Sequence, residues 1–486
     1  MQPREMPGID EESPLLRGDE SRRDSHQGKK LVELSYEDGS HPRSWSKWDK
    51  LANIGIVASM ALLGPLASSM FAPGIDQIAK DLDATTSQVI ACQTGFVCML
   101  GVGPLLLAPL SETFGRKVLY LSCFAVFTLL QIPTALSPNV TTLIIMRTIA
   151  GFFGSVSIAN GGGTISDMYI PSERAGIFGW YLLGPLLGPS LGPILGAVIM
   201  ANLKWPWLFW ILLILCVVLV TSAFFFLRET YVPVLLSRRK KELEKDGGNY
   251  YYEGEDDRPL TTKLRESIKR PLTILFLQPI VITMATYQAL LFATTYSLYT
   301  QFQRIYGGLY GFDTIQVGFI YLGPGLGFLT AVWFLVPKID TVFNRLSKKY
   351  GQEKPEYRLP LANVGAVLIP ITLFWFAWTV EYHVHWAATL AATFFYGIGQ
   401  VSIFNCVQNY YIDSFEKYAA SAIAAGALFR SLIGGVVPIF TPSLIDKYGV
   451  GWGISVFAFI GVLLAPSPLI FYIYGERIRE RFAIKL

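Results

Sequence analysis

Apolar residues in this chain fall in long blocks, and the polar and charged residues collect between them. Twelve blocks reach the length of about 20 residues that carries an α-helix across the hydrocarbon core of a bilayer. They cover 51–72, 88–108, 118–137, 141–165, 175–199, 207–227, 272–298, 315–336, 359–379, 386–411, 418–441 and 452–474. Backbone polar groups inside a bilayer need internal partners, so such blocks predict helices. The expectation is an all-α membrane protein of twelve transmembrane helices in two six-helix bundles. A polar tail (1–50) is expected to be disordered, followed by a first bundle (51–227), a charged linker (228–271), a second bundle (272–474) and a short tail (475–486). A weak repeat makes the bundles pseudo-symmetric: Pro109-Leu110-Ser111-Glu112-Thr113 follows the second block, and Pro337-Lys338-Ile339-Asp340-Thr341 follows the eighth.

Composition and charge sharpen this picture. The chain is 52% hydrophobic and only 16% charged, far below the charged share of a soluble domain. With both termini in the cytoplasm, 34 of the 40 Lys and Arg residues fall on the inner side; Lys80, Lys204, Arg304 and Lys447 fall outside. That asymmetry fixes topology and orientation. The net charge of +4 is therefore topological and does not point to nucleic acid. The five cysteines all lie in spans, so no disulfide is expected. No cleavable signal peptide is read, and the first span serves as insertion signal. Glu11-Glu12-Ser13-Pro14-Leu15-Leu16 resembles an acidic dileucine sorting signal, and Asn139-Val140-Thr141 fits a glycosylation acceptor in a very short outer loop. The plasma membrane is the expected location, with the vacuolar membrane as the alternative.

The fifth block contains Gly184-Pro185, Gly188-Pro189 and Gly192-Pro193, then Gly196, all at four-residue spacing. Interior prolines break soluble helices, but neighbouring helices in a membrane bundle can satisfy the freed carbonyls. Glycines at this spacing let a partner helix approach closely.

Three segments together resemble the major facilitator superfamily. Leu110-Ser111-Glu112-Thr113-Phe114-Gly115-Arg116-Lys117, between spans two and three, is similar to that family's cytoplasmic loop signature, with Glu112 in place of the common Asp. The resemblance implies a latch in which Gly115 makes the turn and Glu112 meets Arg116 or a helix N-terminus. Arg147 opens Arg147-Thr148-Ile149-Ala150-Gly151-Phe152-Phe153-Gly154, which looks like the family's span-four motif. The Gly-Pro run resembles the span-five antiporter motif, which implies an exporter and a hinge packed against span eight. Phe226-Leu227-Arg228-Glu229-Thr230-Tyr231-Val232-Pro233-Val234-Leu235-Leu236, with Arg430-Ser431 in span eleven, is similar to the fungal twelve-spanner drug/proton antiporter branch.

An Arg inside a span costs roughly 2.5–3.5 kcal/mol or more, which makes Arg147 and Arg430 functional candidates. Arg147 has a structural alternative, bonding to carbonyls of span one. The spans hold no Asp or Glu near their middles, which suits a small anionic substrate such as an organic acid. Tyr287, Gln288, Gln400 and Asn405 could complete a cavity; interhelical hydrogen bonding is the alternative for each. Protons are a second possible partner, carried by Asp76, Asp167, Glu112 or the substrate itself. The expected function is a monomeric alternating-access exporter of an organic acid or acid-bearing metabolite. A broad drug/proton antiporter and a nutrient sensor of transporter fold are the alternatives. No catalytic set, metal cluster or cofactor motif is visible, so an enzyme is not expected.

Overall fold

The computed structural model describes residues 30–35, 39–245, 248–253, 255, 258–415 and 418–482. The dileucine-like segment lies outside the described residues, as do most of the N-terminal tail and the last four positions. Among the described residues the regular elements are helices apart from one two-residue pairing, β1 (Lys30–Leu31) beside β2 (Tyr250–Tyr251), which ties the N-terminal arm to the linker.

The first half contains α1 (Lys47–Ser69), α2 (Ile75–Asp81), α3 (Thr86–Phe114), α4 (Arg116–Ala135), α5 (Val140–Gly154), α6 (Val156–Met168), α7 (Pro171–Asn202) and α8 (Pro206–Phe226). The linker carries α9 (Val232–Lys245) and α10 (Leu260–Leu277). The second half contains α11 (Pro279–Phe302), α12 (Thr314–Ile320), α13 (Leu322–Phe334), α14 (Val336–Tyr350), α15 (Ala362–Glu381), α16 (Trp386–Ser414), α17 (Ala419–Leu464) and α18 (Ser467–Arg481). Their ends follow local chemistry. Thr85 with Gln88 and Asp313 with Gln316 form capping boxes at the starts of α3 and α12. Gly115, at φ 101°, turns α3 into α4 in a conformation other residues rarely adopt.

Ten helical segments of the described chain are long and apolar enough to cross a membrane, or eleven when a bent pair counts as one. That pair is α10 and α11, which meet at 95°. The cause is Gln278-Pro279: the residue before a proline is pushed to extended geometry, here φ −105° and ψ 105°. The helix along which the chain runs on therefore starts at Pro279, not at 272. The last of the ten runs from Ala419 to Arg481, where two separate spans were expected. Gly449, at φ 76° and ψ 170°, breaks it.

Buried apolar residues form two large cores. One spans Ile56 to Leu227 and the other Ile274 to Phe471. Between them runs a seam of small residues. Thr94 donates to the Gly435 carbonyl at 2.6 Å and Ser87 to that of Ile439 at 3.3 Å, joining α3 to α17. The Tyr296 and Ser68 hydroxyls are 3.2 Å apart, and those of Tyr299 and Ser190 are 3.0 Å apart, joining α11 to α1 and α7. Each bond sits on the part of α1, α3 or α7 remote from the linker.

Candidate functional site

The linker-side end of the first half carries a network centred on Arg116. Gly115 aims the first amides of α4 at Glu229, which follows α8. Glu229 accepts from the Arg116 and Lys117 N–H groups at 2.8 and 3.1 Å. A carboxylate at a helix N-terminus answers both the unpaired amides and the helix dipole. The Arg116 guanidinium reaches Asp167 at 3.4 Å, Asn160 at 3.2 Å and the Ser111 hydroxyl. Thr230 donates to Asp167 at 3.1 Å, and the Tyr231 ring lies 5.0 Å from the guanidinium carbon. Gly163 makes room for this: a side chain there would begin 2.5 Å from an Arg116 nitrogen.

Glu112 is exposed, and Arg116 turns to Asp167 and Glu229 instead. In the sequence Glu229 stands in a family phrase and Asp167 at a span end, and neither is linked to Arg116. Both lie far along the chain from Arg116, with no local signal to connect them.

The second half repeats the arrangement. Arg358, just before α15, bonds Asp413 at the end of α16 at 2.7 Å and also Asp340, from the repeated segment. Its guanidinium stands 4.0 Å from the Phe343 ring. Lys354 bonds Glu476 at 2.6 Å, and Arg479 stands 3.4 Å from the buried Glu356.

Arg147 is sealed in the first core at 1% exposure. One nitrogen donates to the Ala67 carbonyl of α1 at 2.7 Å, while Nε and Nη1 have no hydrogen-bond partner. The rings of Phe96, Phe71 and Phe209 surround it at 4.3, 5.3 and 5.7 Å, so cation–π attraction replaces hydration. Arg147 is thus in the place its structural alternative required.

Arg430 differs. Its side chain as a whole is partly exposed on α17, but Nε and Nη1 are buried, between the rings of Phe292 on α11 and Phe404 on α16, at 5.1 and 5.0 Å. Its Nε and Nη1 lack partners. No ion pair to it is formed among the described residues, so it is a cation whose charge is met only by aromatic faces. On α11, Gln288, Phe292 and Tyr296 recur every four residues and share one face toward α17. Gln288 is fully buried with both amide atoms unpartnered. A side chain at Gly426 would touch its oxygen at 3.4 Å, and one at Gly434 would press on Phe292 at 2.7 Å.

The other predicted residues separate. Tyr287 is fully buried with an unpartnered hydroxyl. Gln400 accepts from Thr295 at 2.9 Å, which in turn stands 3.2 Å from the Tyr396 hydroxyl. Asn405 donates to Val401 of its own helix at 3.1 Å. Asn139 is exposed and caps α5 by accepting from Thr142 at 2.8 Å. Asp76 is exposed at the side remote from the linker. Phe292, Phe404, Ser68 and Ser190 were missed, because apolar rings and lone serines inside spans carry no sequence signal.

Pro185, Pro189 and Pro193 sit within α7, which stays continuous. Gly184, Gly188, Gly192 and Gly196 all face α1 between Ala58 and Met70. Ser190 and Ala197 face span eight, where Gly325 and Gly318 receive them. The run therefore lies between span one and span eight, with its glycines on the span-one side.

The Major Facilitator Superfamily profile matches residues 57–438. The MFS-type transporter tndD of Aspergillus flavipes is 38% identical over 92% of this chain and 84% of its own. The MFS-type transporter penM of Penicillium rubens is 36% identical over 91% and 88%. The efflux pump radE of Floropilus chiversii is 39% identical over 93% and 85%. Among solved structures, the D-xylose–proton symporter superposes with a TM-score of 0.63 at 14% identity, covering 87% of this chain and 97% of that one. The human organic anion transporter MFSD10 superposes at 0.57 and 15% identity, over 86% and 99%. At these identities the two structures speak to the fold alone.

Proposed function

Because the chain belongs to the major facilitator superfamily and is a multi-pass membrane transporter of that family, we propose that it exports a small molecule bearing an anionic group. Transport proceeds by alternating access between two six-span halves. The spans number twelve when α10–α11 is one bent span and the long last helix is two, divided at Gly449. The linker and both termini face the cytoplasm, in line with the bias of Lys and Arg. Export is supported by the span-five run and by similarity to a protein named an efflux pump.

The observation that carries the substrate reading is Arg430, a cation without a carboxylate partner among the described residues, set against two aromatic rings. A carboxylate entering there gains a charge-assisted bond in a low-dielectric site. Efflux of an anion also follows an inside-negative potential, worth about 2.3 kcal/mol per charge per 100 mV. Protons travel with the substrate or on Asp167.

The test is transport of carboxylate-bearing and cationic probes in proteoliposomes. Arg430→Ala is expected to lower acid transport at least about tenfold, as one lost charged bond of 1.5–3 kcal/mol dictates, while sparing cations. Acid transport at the parent rate would sink the reading. A broad drug/proton antiporter is the second reading, favoured by the apolar faces of Phe292 and Phe404. Phe404→Ala would then lower cationic dye transport while Arg430→Ala left it alone.

A further inference from the structure

The transport reading gives α10 no role beyond leading into the span of α11. This helix is bent 95° from α11, so it lies across the axis of the span it feeds. Its buried face, Pro271, Ile274 and Leu275, belongs to a helix that packs on both α3 and α17. Those two helices come from opposite halves.

The other face is a single stripe. Arg265, Lys269, Leu272 and Phe276 are spaced four, three and four residues apart, which aligns them on a helix. Arg265, Lys269 and Phe276 are exposed, Phe276 at 68%, and Leu277 beside it at 56%. Charge fills the half of the stripe far from the span, and apolar side chains fill the half next to it. Glu266, the acid of this helix, sits off the stripe, bonded to Arg270 at 2.8 Å and Arg258 at 3.1 Å. Among the described residues, no ion pair neutralises Arg265 or Lys269.

A helix at right angles to its span, with large apolar side chains turned outward and basic residues alongside, fits the boundary between acyl chains and headgroups. Bulk water would leave Phe276 and Leu277 exposed beside a membrane span. The two cations on that boundary select negative lipid. We propose that Arg265 and Lys269 bind anionic headgroups of the linker-side leaflet, with Leu272 and Phe276 embedded among the acyl chains. The proposal rests on the reading that the chain spans a bilayer with the linker at one face. Because α10 is seated on a helix of each half, lipid held on the stripe bears directly on how the two halves part at that face.

Brominated lipids provide the test. The purified full chain is reconstituted in liposomes, and the fluorescence that Phe276→Trp adds to the parent is followed. Acyl-brominated phosphatidylserine and phosphatidylcholine are expected both to quench it, the serine lipid at a lower mole fraction. Arg265→Gln and Lys269→Gln should each reduce that preference about fivefold, from the roughly 1 kcal/mol a basic residue gains at such a surface. Equal quenching of the added Phe276→Trp signal by the two lipids, with Arg265 and Lys269 intact, overturns the headgroup assignment. Protection from both, repeated with Leu277→Trp, overturns the bilayer placement. None of these outcomes depends on export, so failure of the transport reading leaves them interpretable.

Discussion

Gly188→Ala tests whether the span-five run exists to press α7 onto α1. A methyl there would start 2.8 Å from Pro65 Cβ, 2.9 Å from the Leu66 nitrogen and 3.0 Å from the Leu62 oxygen. Carbon atoms rest at about 3.5–4.0 Å, and none of these neighbours is a flexible side-chain end. The two helices must separate by roughly half an ångström or more. Overpacking of this kind costs about 1–3 kcal/mol. Alanine returns about 1 kcal/mol in helix propensity, which leaves a net loss of up to about 2 kcal/mol. Gly55→Ala on α1 is the counterpart: nothing lies within 4 Å of its added methyl, so only the propensity gain of up to about 1 kcal/mol remains. The chain supplies its own probes, since Cys92, Cys123, Cys216 and Cys406 are buried and react with a thiol dye only on unfolding. In a thermal ramp the Gly188→Ala midpoint should fall by up to about 2 °C and that of Gly55→Ala should hold or rise. If both variants raise the midpoint together, close packing of α7 on α1 is not what the glycines provide.

Tyr296→Phe and Tyr299→Phe each remove a hydroxyl that bonds across the seam, to Ser68 and Ser190. Each should cost about 1 kcal/mol of seam closure and raise the rate at which maleimide labels the half-buried Cys98 several-fold; unchanged labelling would mean the seam does not open there. Asp167→Asn breaks a buried ion pair to Arg116 and should lower stability by about 3 kcal/mol, the low end for such pairs, because an amide still accepts from Thr230. Glu112→Gln, at an exposed position, should change stability by less than about 0.5 kcal/mol; a larger loss there than at Asp167 would restore Glu112 to the latch.

Much of the fold was legible because a bilayer imposes it. Spans must be apolar, helical and about 20 residues long, so composition alone nearly gives their positions. Their ends were less legible: the bend at Gln278-Pro279 lies inside an unbroken apolar block, and the helix continues to Gly449 where a loop was expected. The site was legible by residue type more than by role. Arg147 and Arg430 read alike as cations inside spans. The structure wraps Arg147 in Phe96, Phe71 and Phe209 and ties it to α1, whereas Arg430 meets only the two rings of Phe292 and Phe404. The loop before α4 reads as pairing Arg116 with Glu112 or a helix N-terminus, whereas in the structure Arg116 meets Asp167 and its amide meets Glu229.

The sequence by itself determined that this chain crosses a membrane many times and which family it joins. Those properties depend on the type and order of residues, through hydrophobic length and charge count. Only the tertiary structure decided which acid meets Arg116, which arginine is tied to a carbonyl of span one, and which helix the Gly-Pro run touches. Each of these is set by contacts between helices distant in sequence, as when Glu229 closes on an amide 113 positions earlier. Inside a bilayer a polar group takes whatever partner packing brings within about 3 Å, and packing is a property of the whole bundle.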